Sequence, residues 1–125
     1  MSTVDRDLAG RLALTLADLP GVQGALICSL EGELLGESAI ADATRCAALA
    51  TFLACRAEAL PLEDDQRGMG RLLTGSQLDC CTISSDRGDS VVLASGPCYV
   101  FLTLGRGTPV EPVVTAARQF LRRYL

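Results

Sequence analysis

The chain has 125 residues, a formal net charge of −4 and a mean hydropathy of +0.31, and 49% of its residues are hydrophobic. This length suits a single domain over residues 1–125, and the apolar content excludes a disordered chain. The negative charge argues against nucleic-acid binding, which requires clustered basic residues.

The first predicted element is a helix from Ser2 to Leu19. Leucines recur there at helical spacing and form one apolar stripe. Ser2 or Thr3 can cap the helix, because a side-chain oxygen can accept the free N–H groups of the first turn. Pro20 and Gly21 then end it.

A β-hairpin is predicted next. Val22 to Ser29 is almost continuously apolar, which indicates a strand buried on both faces. Glu33 to Ser38 is more polar and predicts a second, more exposed strand. Glu31-Gly32 lies between them and is typical of a tight turn, so the two strands should pair antiparallel.

The central segment from Asp42 to Leu60 predicts a helix that Asp42 caps and Leu60-Pro61 ends. One side of this helix is apolar and mostly alanine, which suits close packing on a sheet. The opposite side is also largely apolar, and it carries Ala48, Phe52, Cys55 and Ala59. A helix that is apolar nearly all round is buried on more than one side.

The second half of the chain predicts mainly strands. Leu62 to Gly70 is the most hydrophilic stretch and is typical of a solvated loop. Strands are expected at Gln77 to Ser84, Ser90 to Ser95 and Cys98 to Leu104, and tight turns should join them into an antiparallel meander. The last of these is the most apolar run in the chain and should lie at or next to the centre of the sheet.

Thr108 to Leu125 predicts the last helix. Thr108 and Glu111 match a capping box, with Pro109 at the first helical position. The full order is helix, two strands, helix, three strands, helix. This order predicts an α/β (α+β sandwich) fold around a five-stranded, largely antiparallel sheet. The two terminal helices should cover one face, and the central helix the other.

A lone central helix would leave its outer side exposed, including Phe52. A chain this short has little material to cover that side, so pairing with a second copy around a two-fold axis is the leading explanation. Arg45 and Arg56 flank Phe52, and arginine beside an aromatic side chain is typical of interfaces. The alternative is a solvated edge on which the arginine stems cover apolar surface. The predicted dimer or partner interface comprises Arg45, Ala48, Phe52, Cys55, Arg56 and Ala59.

The composition predicts a cytoplasmic protein without membrane insertion, since no segment is long enough to cross a membrane and no signal-peptide pattern is present. The six cysteines fall in predicted strands and a helix, which is typical of small buried hydrophobic residues in a reducing compartment. With no histidine and no C-x-x-C pair, the usual mixed zinc sites cannot form, and no cofactor is expected.

Catalytic patterns are absent from the sequence. There is no histidine for general-base work, no P-loop and no G-x-S-x-G motif. Cys80 and Cys81 lack an adjacent cation or histidine that would activate a thiol. We therefore expect a non-enzymatic protein, with two classes open: a dimeric platform for a partner protein, or a small-ligand sensor. A sensor would need a cavity with convergent polar groups, which the mostly apolar inward positions hardly offer.

Several stretches, taken in order, resemble one known family. They are Leu19-Pro20-Gly21-Val22 with Gly24-Ala25-Leu26-Ile27, the Glu31-Gly32 turn, the alanine-rich helix from Asp42, Gly68-Met69-Gly70, and Phe101-Leu102-Thr103-Leu104 before the last helix. This order, over nearly the whole chain, is similar to the Roadblock family, named for dynein light chains and also widespread in bacteria. The chain resembles a bacterial member.

The resemblance implies a homodimer in which the central helices pack side by side and the two sheets join through the third strand. It also implies non-enzymatic work, because family members bind and regulate Ras-like small GTPases or scaffold assemblies such as dynein. Bacterial members are often encoded near a small GTPase. The resemblance assigns no residue of this chain to GTPase contact.

Overall fold

The computed structural model of the protein describes residues 5–63 and 79–125, and side chains throughout these ranges except for 57–63. Within these ranges the chain forms three helices and five strands. In chain order they are α1 (Arg6–Ala17), β1 (Val22–Ser29), β2 (Leu34–Ser38), α2 (Ala43–Glu63), β3 (Cys80–Ser85), β4 (Gly88–Ser95), β5 (Cys98–Leu104) and α3 (Val110–Leu121).

The strands form one sheet in the order β2-β1-β5-β4-β3, and every neighbouring pair is antiparallel. The predicted hairpin of β1 and β2 and the predicted meander of β3, β4 and β5 are both confirmed. The most apolar strand, β5, lies at the centre, where both of its edges are hydrogen-bonded and both of its faces are covered. The structure therefore confirms the predicted element order and fold class.

Alternation along the strands divides the core into two layers. Leu26 and Ile27 are adjacent in β1 and fully buried, but they belong to clusters on opposite faces of the sheet. Ile27 packs in the cluster that holds the buried leucines of α1 and α3. Leu26 packs with Ala47, Ala50 and Ala54 of α2. The terminal helices thus cover one face and α2 covers the other, as predicted.

Glycine allows α1 to lie unusually close to β2. A Cβ atom added to Gly36 would lie 2.5 Å from the backbone carbon of Ala9 and 2.6 Å from the backbone nitrogen of Gly10. Real Cβ atoms do not approach backbone this closely, so any side chain at position 36 would push the helix away from the sheet. The packing of α1 on β2 therefore depends on this glycine.

The boundaries of α1 differ from the prediction. Asp5 is the N-cap, and its carboxylate accepts a hydrogen bond from the Leu8 N–H at 2.7 Å. The predicted caps, Ser2 and Thr3, lie outside the described residues. The helix ends at Ala17 rather than Leu19, because the chain must turn before the carbonyl of Leu19 can accept a hydrogen bond from Val22 N–H at 3.0 Å.

The start of α2 agrees with the prediction, but its end needs correction. Asp42 directly precedes the helix, and its carbonyl accepts the first helical hydrogen bond from the Cys46 N–H at 3.1 Å. Its φ of 57° departs from the extended backbone of a usual N-cap. The helix also continues through Pro61 to Glu63, so the predicted stop at Leu60-Pro61 is wrong. Proline removes one N–H group, but its φ near −65° is itself helical. Two residues of the predicted Leu62 to Gly70 loop are therefore helical, and 64–70 lie outside the described residues.

Smaller corrections concern β2, β3, β4 and α3. β2 starts one residue later than predicted, at Leu34, and β4 starts two residues earlier, at Gly88. β3 extends from Cys80 to Ser85, and the predicted positions 77–78 lie outside the described residues. α3 ends at Leu121 instead of Leu125. Pro109, not Thr108, is the N-cap of α3, and no side chain caps it. The capping box is therefore wrong, because Thr108 lies one residue too early. Its side chain instead packs on Gly21, where an added Cβ would lie 2.3 Å from the Thr108 methyl group.

A membrane span is not found among the described helices, none of which is both long and apolar enough to cross a bilayer.

Candidate protein-interaction surface

The outer side of α2 carries the most exposed large apolar side chain among the described residues. Phe52 is 60% exposed, and Leu49, one turn away, is 47% exposed. Ala48 and Cys55 on the same side are also exposed. We call the surface formed by Ala48, Leu49, Phe52 and Cys55 the α2 outer face. Two neighbouring large apolar side chains that are both exposed to solvent are typical of a surface that another protein covers.

The orientation of this helix is fixed from the sheet side. Ala47, Ala50 and Ala54 are fully buried against the sheet, and their small side chains let the helix approach closely. The Thr51 hydroxyl donates to the Ala47 carbonyl at 2.9 Å and lies 3.9 Å from the Cys28 Sγ atom on β1. With this side against the sheet, Phe52 must point outward.

The structure places five of the six predicted interface residues on this side of α2. Arg45, Ala48, Phe52, Cys55 and Arg56 are all exposed, while the side chain of the sixth, Ala59, lies outside the described residues. Their exposure in the single chain leaves all five accessible to a partner.

Leu49 belongs to this surface but is missing from the predicted interface. It follows Arg45 by four residues and precedes Phe52 by three, so helical spacing alone places it beside both of them. The signal was therefore present in the sequence.

Two arginines border the α2 outer face, one toward each end. Arg45 lies 3.8 Å from the Asp42 carboxylate, and the two side chains are 85% and 68% exposed. An ion pair this open to water contributes little to stability and leaves the guanidinium accessible to a partner. Arg56 is exposed beyond Phe52. The surface therefore has an apolar centre and a basic rim, the usual arrangement of a protein interface.

The edge strand β3 is a second surface suited to pairing. Its sequence, CCTISS, contains no proline and no charged residue, although these are the usual devices that prevent edge strands from pairing with other chains. Its six residues pair with β4 in continuous register from Cys80 with Leu93 to Ser85 with Gly88. The outward edge of β3 thus offers regular backbone donors and acceptors.

The thiols show no sign of activation where a shift of the pKa is resolved. Burial raises the pKa of the Cys98 thiol to about 11 and also raises the pKa values of Cys28, Cys46 and Cys80. At Cys80 the Arg118 guanidinium opposes this effect, so the predicted absence of a nearby cation is wrong there. Arg118 comes from a distant helix, which local sequence does not reveal. Of the six cysteines, Cys28 and Cys98 are buried as predicted, whereas Cys55 is exposed.

A half-open cavity of about 450 Å³ lies beside the start of α2. Its apolar wall includes Ile40 and Phe101, and its polar lining includes Gln23, Arg87 and Thr103. The prediction of almost no convergent polar groups is therefore too strict. The polar side chains come from strand ends and the β3–β4 turn, whereas the buried middles of the strands are apolar. Among the described residues, no group of three potential metal ligands is close enough to hold an ion.

No family model matches the sequence, and no curated protein matches it. Solved structures do match. A Roadblock/LC7 domain from Streptomyces avermitilis is 18% identical, with a TM-score of 0.71 over 98% of each chain. The gliding protein MglB from Thermus thermophilus is 14% identical, with a TM-score of 0.67 over 98% of this chain and 95% of that one. A structure of MglB with a tetrameric arrangement is 14% identical, with a TM-score of 0.68 over 100% and 96%.

Proposed function

We propose that this chain, which has the Roadblock fold, is a non-enzymatic homodimeric platform that binds and regulates a Ras-like small GTPase. The observation that carries the proposal is the α2 outer face. Phe52 and Leu49 are exposed to solvent there, although the opposite side of the helix packs on the sheet. The resemblance to the Roadblock family supports the functional class, because it implies homodimers that bind a small GTPase. One structural relative, MglB, has been solved in a tetrameric arrangement.

Pairing of two copies would bury the α2 outer face twice. Full burial of one large apolar side chain is worth roughly 1.5–3 kcal/mol, and a two-fold interface uses each residue on both copies. Burial of Phe52 and Leu49 on both copies would therefore contribute favourable free energy from four side chains. The cost of association is then subtracted from this sum. Alanine at position 48 leaves room for the two helices to approach each other closely.

The sheet provides a second contact that agrees with the first. α2 packs on β1, β2 and β5, while Cys81, Ile83 and Ala94 on the β3 and β4 half of the same face remain partly exposed. A second copy that pairs along β3 would approach this half of the face. In our proposal both contacts form together, so that the helices pair while the two sheets become continuous.

The basic rim is our candidate GTPase contact. Arg45 and Arg56 border the apolar centre, and arginines at a rim remain accessible after the centre is covered. A partner that presents acidic groups would be steered to this rim. In this account the dimer regulates nucleotide hydrolysis by holding the switch regions of the GTPase in one conformation.

The test is capture of the nearest-encoded small GTPase by the immobilised dimer, with the GTPase loaded with GDP or with a GTP analogue. We expect retention in one nucleotide state, and loss of retention in the double variant Arg45→Glu/Arg56→Glu while the dimer mass is kept. Arg11→Glu, on the exposed side of α1, is the matched control and should retain the GTPase. No capture in either nucleotide state by a well-formed dimer would contradict the GTPase assignment.

The cavity beside α2 favours a second candidate function, a small-ligand sensor. Its volume of about 450 Å³ lies within the range of ligand sites, and Arg87, Gln23 and Thr103 supply polar groups. We rank it second because a large part of the cavity opens to solvent. A sensor requires no GTPase, so the capture experiment separates the two candidates.

Alkylation of Cys55 provides a chemical test of the proposed interface. It is exposed in the single chain, so its alkylation by iodoacetamide should be fast when the protein is dilute. At concentrations that favour the dimer, the rate at Cys55 should fall. Cys98, which is 1% exposed with a pKa of about 11, should stay unmodified at both concentrations. Peptide mass spectrometry after timed quenching measures the extent of alkylation at each cysteine. An alkylation rate at Cys55 that is the same at both protein concentrations would place Cys55 outside the interface.

A further inference from the structure

An ion pair joins the edge of the sheet to the last helix. The Arg118 guanidinium of α3 lies 2.7 Å from the carboxylate of Asp79, the residue that directly precedes β3. The Arg118 side chain is 34% exposed and that of Asp79 is 76% exposed. The guanidinium is thus the more enclosed partner, and solvent screens its charge less than in a fully exposed pair.

Asp79 is held through its backbone as well. The Ala94 N–H of β4 donates to the Asp79 carbonyl at 3.1 Å. This bond lies one step beyond the last β3–β4 pair, Cys80 with Leu93. Asp79 is therefore fixed at two points, by β4 through its main chain and by α3 through its side chain. It lies directly before the first residue of β3, at one end of the edge strand.

A second ion pair lies away from β3 and serves as a comparison. Arg6 and Glu33 approach to 2.8 Å between α1 and the β1–β2 turn, with side chains that are 69% and 62% exposed. This pair is far from β3 along the sheet, since the β1–β2 hairpin forms the other end of the strand order. Its chemistry matches that of the Asp79–Arg118 pair, so it provides the control.

We infer that the Asp79–Arg118 ion pair positions β3 as a pairing edge, so that α3 sets how well this edge accepts the strand of a second copy. This inference rests on the proposed dimer. An edge strand pairs only while its outward N–H and C=O groups stay in line. A six-residue strand bonded on one side opens most readily at its ends. Arg118 is a positioning residue, because it acts on the interface through Asp79.

The experiment compares Asp79→Asn, Arg118→Gln and the charge-swapped double variant Asp79→Arg/Arg118→Asp. Sedimentation equilibrium gives the dimer dissociation constant, and hydrogen exchange gives the protection of the β3 amides. We expect each single variant to raise the dissociation constant about two- to fivefold, the range of modest ion pairs. Exchange should quicken in β3 but not in β5, and the swapped variant should recover most of both effects. Glu33→Gln should change neither.

Each outcome decides the inference. A dimeric protein whose dissociation constant and β3 exchange are the same in both single variants overturns it and leaves the dimer intact. Equal loss in Glu33→Gln also overturns it, because the effect would then be one of net charge. If the unaltered protein is monomeric, the proposed dimer fails, and the β3 exchange rates, which need no dimer, still show whether Arg118 orders the strand.

Discussion

Phe52→Arg should convert the dimer into a monomer that keeps its fold. Phe52 is 60% exposed in the single chain, so an arginine there disturbs no core contact. In the proposed dimer the change would remove two buried aromatic side chains and bring two guanidinium groups together. Because 60% of Phe52 remains to be buried, each copy would lose roughly 1–2 kcal/mol, about that share of the value for full burial. Two copies would lose roughly 2–4 kcal/mol, which corresponds to an increase of roughly one to three orders of magnitude in the dissociation constant.

Light scattering coupled to size exclusion measures this change, and thermal unfolding followed by circular dichroism confirms the fold. The matched control is Leu14→Arg. Leu14 is 59% exposed on α1, which covers the opposite face of the sheet, so this variant introduces the same charge away from α2 and should remain dimeric. If Phe52→Arg keeps the dimer mass at low micromolar concentration, the α2 outer face is not the interface.

Gly36→Ala should strongly lower the stability of the single chain. The added methyl group would lie 2.5 Å from the Ala9 backbone, and backbone atoms of a helix cannot move aside as a flexible side chain can. We expect the free energy of unfolding to fall by about 1–3 kcal/mol, as for other overpacked sites. Urea denaturation followed by circular dichroism measures it.

Gly10→Ala is the matched control for this prediction, because it adds the same methyl group to the neighbouring helix at a position with free space. No atom lies within 4 Å of a Cβ added at Gly10, and the residue is inside α1. Replacing a helical glycine by alanine should raise the free energy of unfolding by roughly 0.5–1 kcal/mol. Equal stability of Gly36→Ala and the unaltered protein would show that α1 can shift on the sheet without cost.

The sequence predicted those parts of the fold that depend on local pattern. The bounds of β1 and β5 agree with the prediction at both ends, because continuous apolar runs between turn residues define buried strands well. The order of elements and the division of the helices between two faces followed from the same patterns. The prediction of the α2 face that packs on the sheet is also confirmed, because alanines at helical spacing lie on one side of the helix.

Helix ends were predicted less well, since several residues compete for each cap. Asp5 caps α1, while the candidates Ser2 and Thr3 lie outside the described residues. Thr108 fitted a capping box in sequence, but its side chain packs on Gly21 from the other end of the chain. That contact is set by the packing of the sheet, and no local pattern contains it.

The candidate site divides in the same way. Exposure of Phe52 and its flanking arginines could be predicted because helical spacing fixes which side each residue occupies. The contacts of Gly36 with α1 and of Arg118 with Asp79 could not, since each joins residues more than 25 positions apart. Both contacts depend on how the helices are positioned on the sheet, which local sequence does not determine.

The molar mass of the unaltered protein in solution tests the central claim most directly. Light scattering across low to high micromolar concentration should give twice the chain mass of 13.1 kDa, with dissociation only on dilution. A mass of 13.1 kDa at every concentration would contradict the account, because the α2 outer face and the edge of β3 would then both remain open to water.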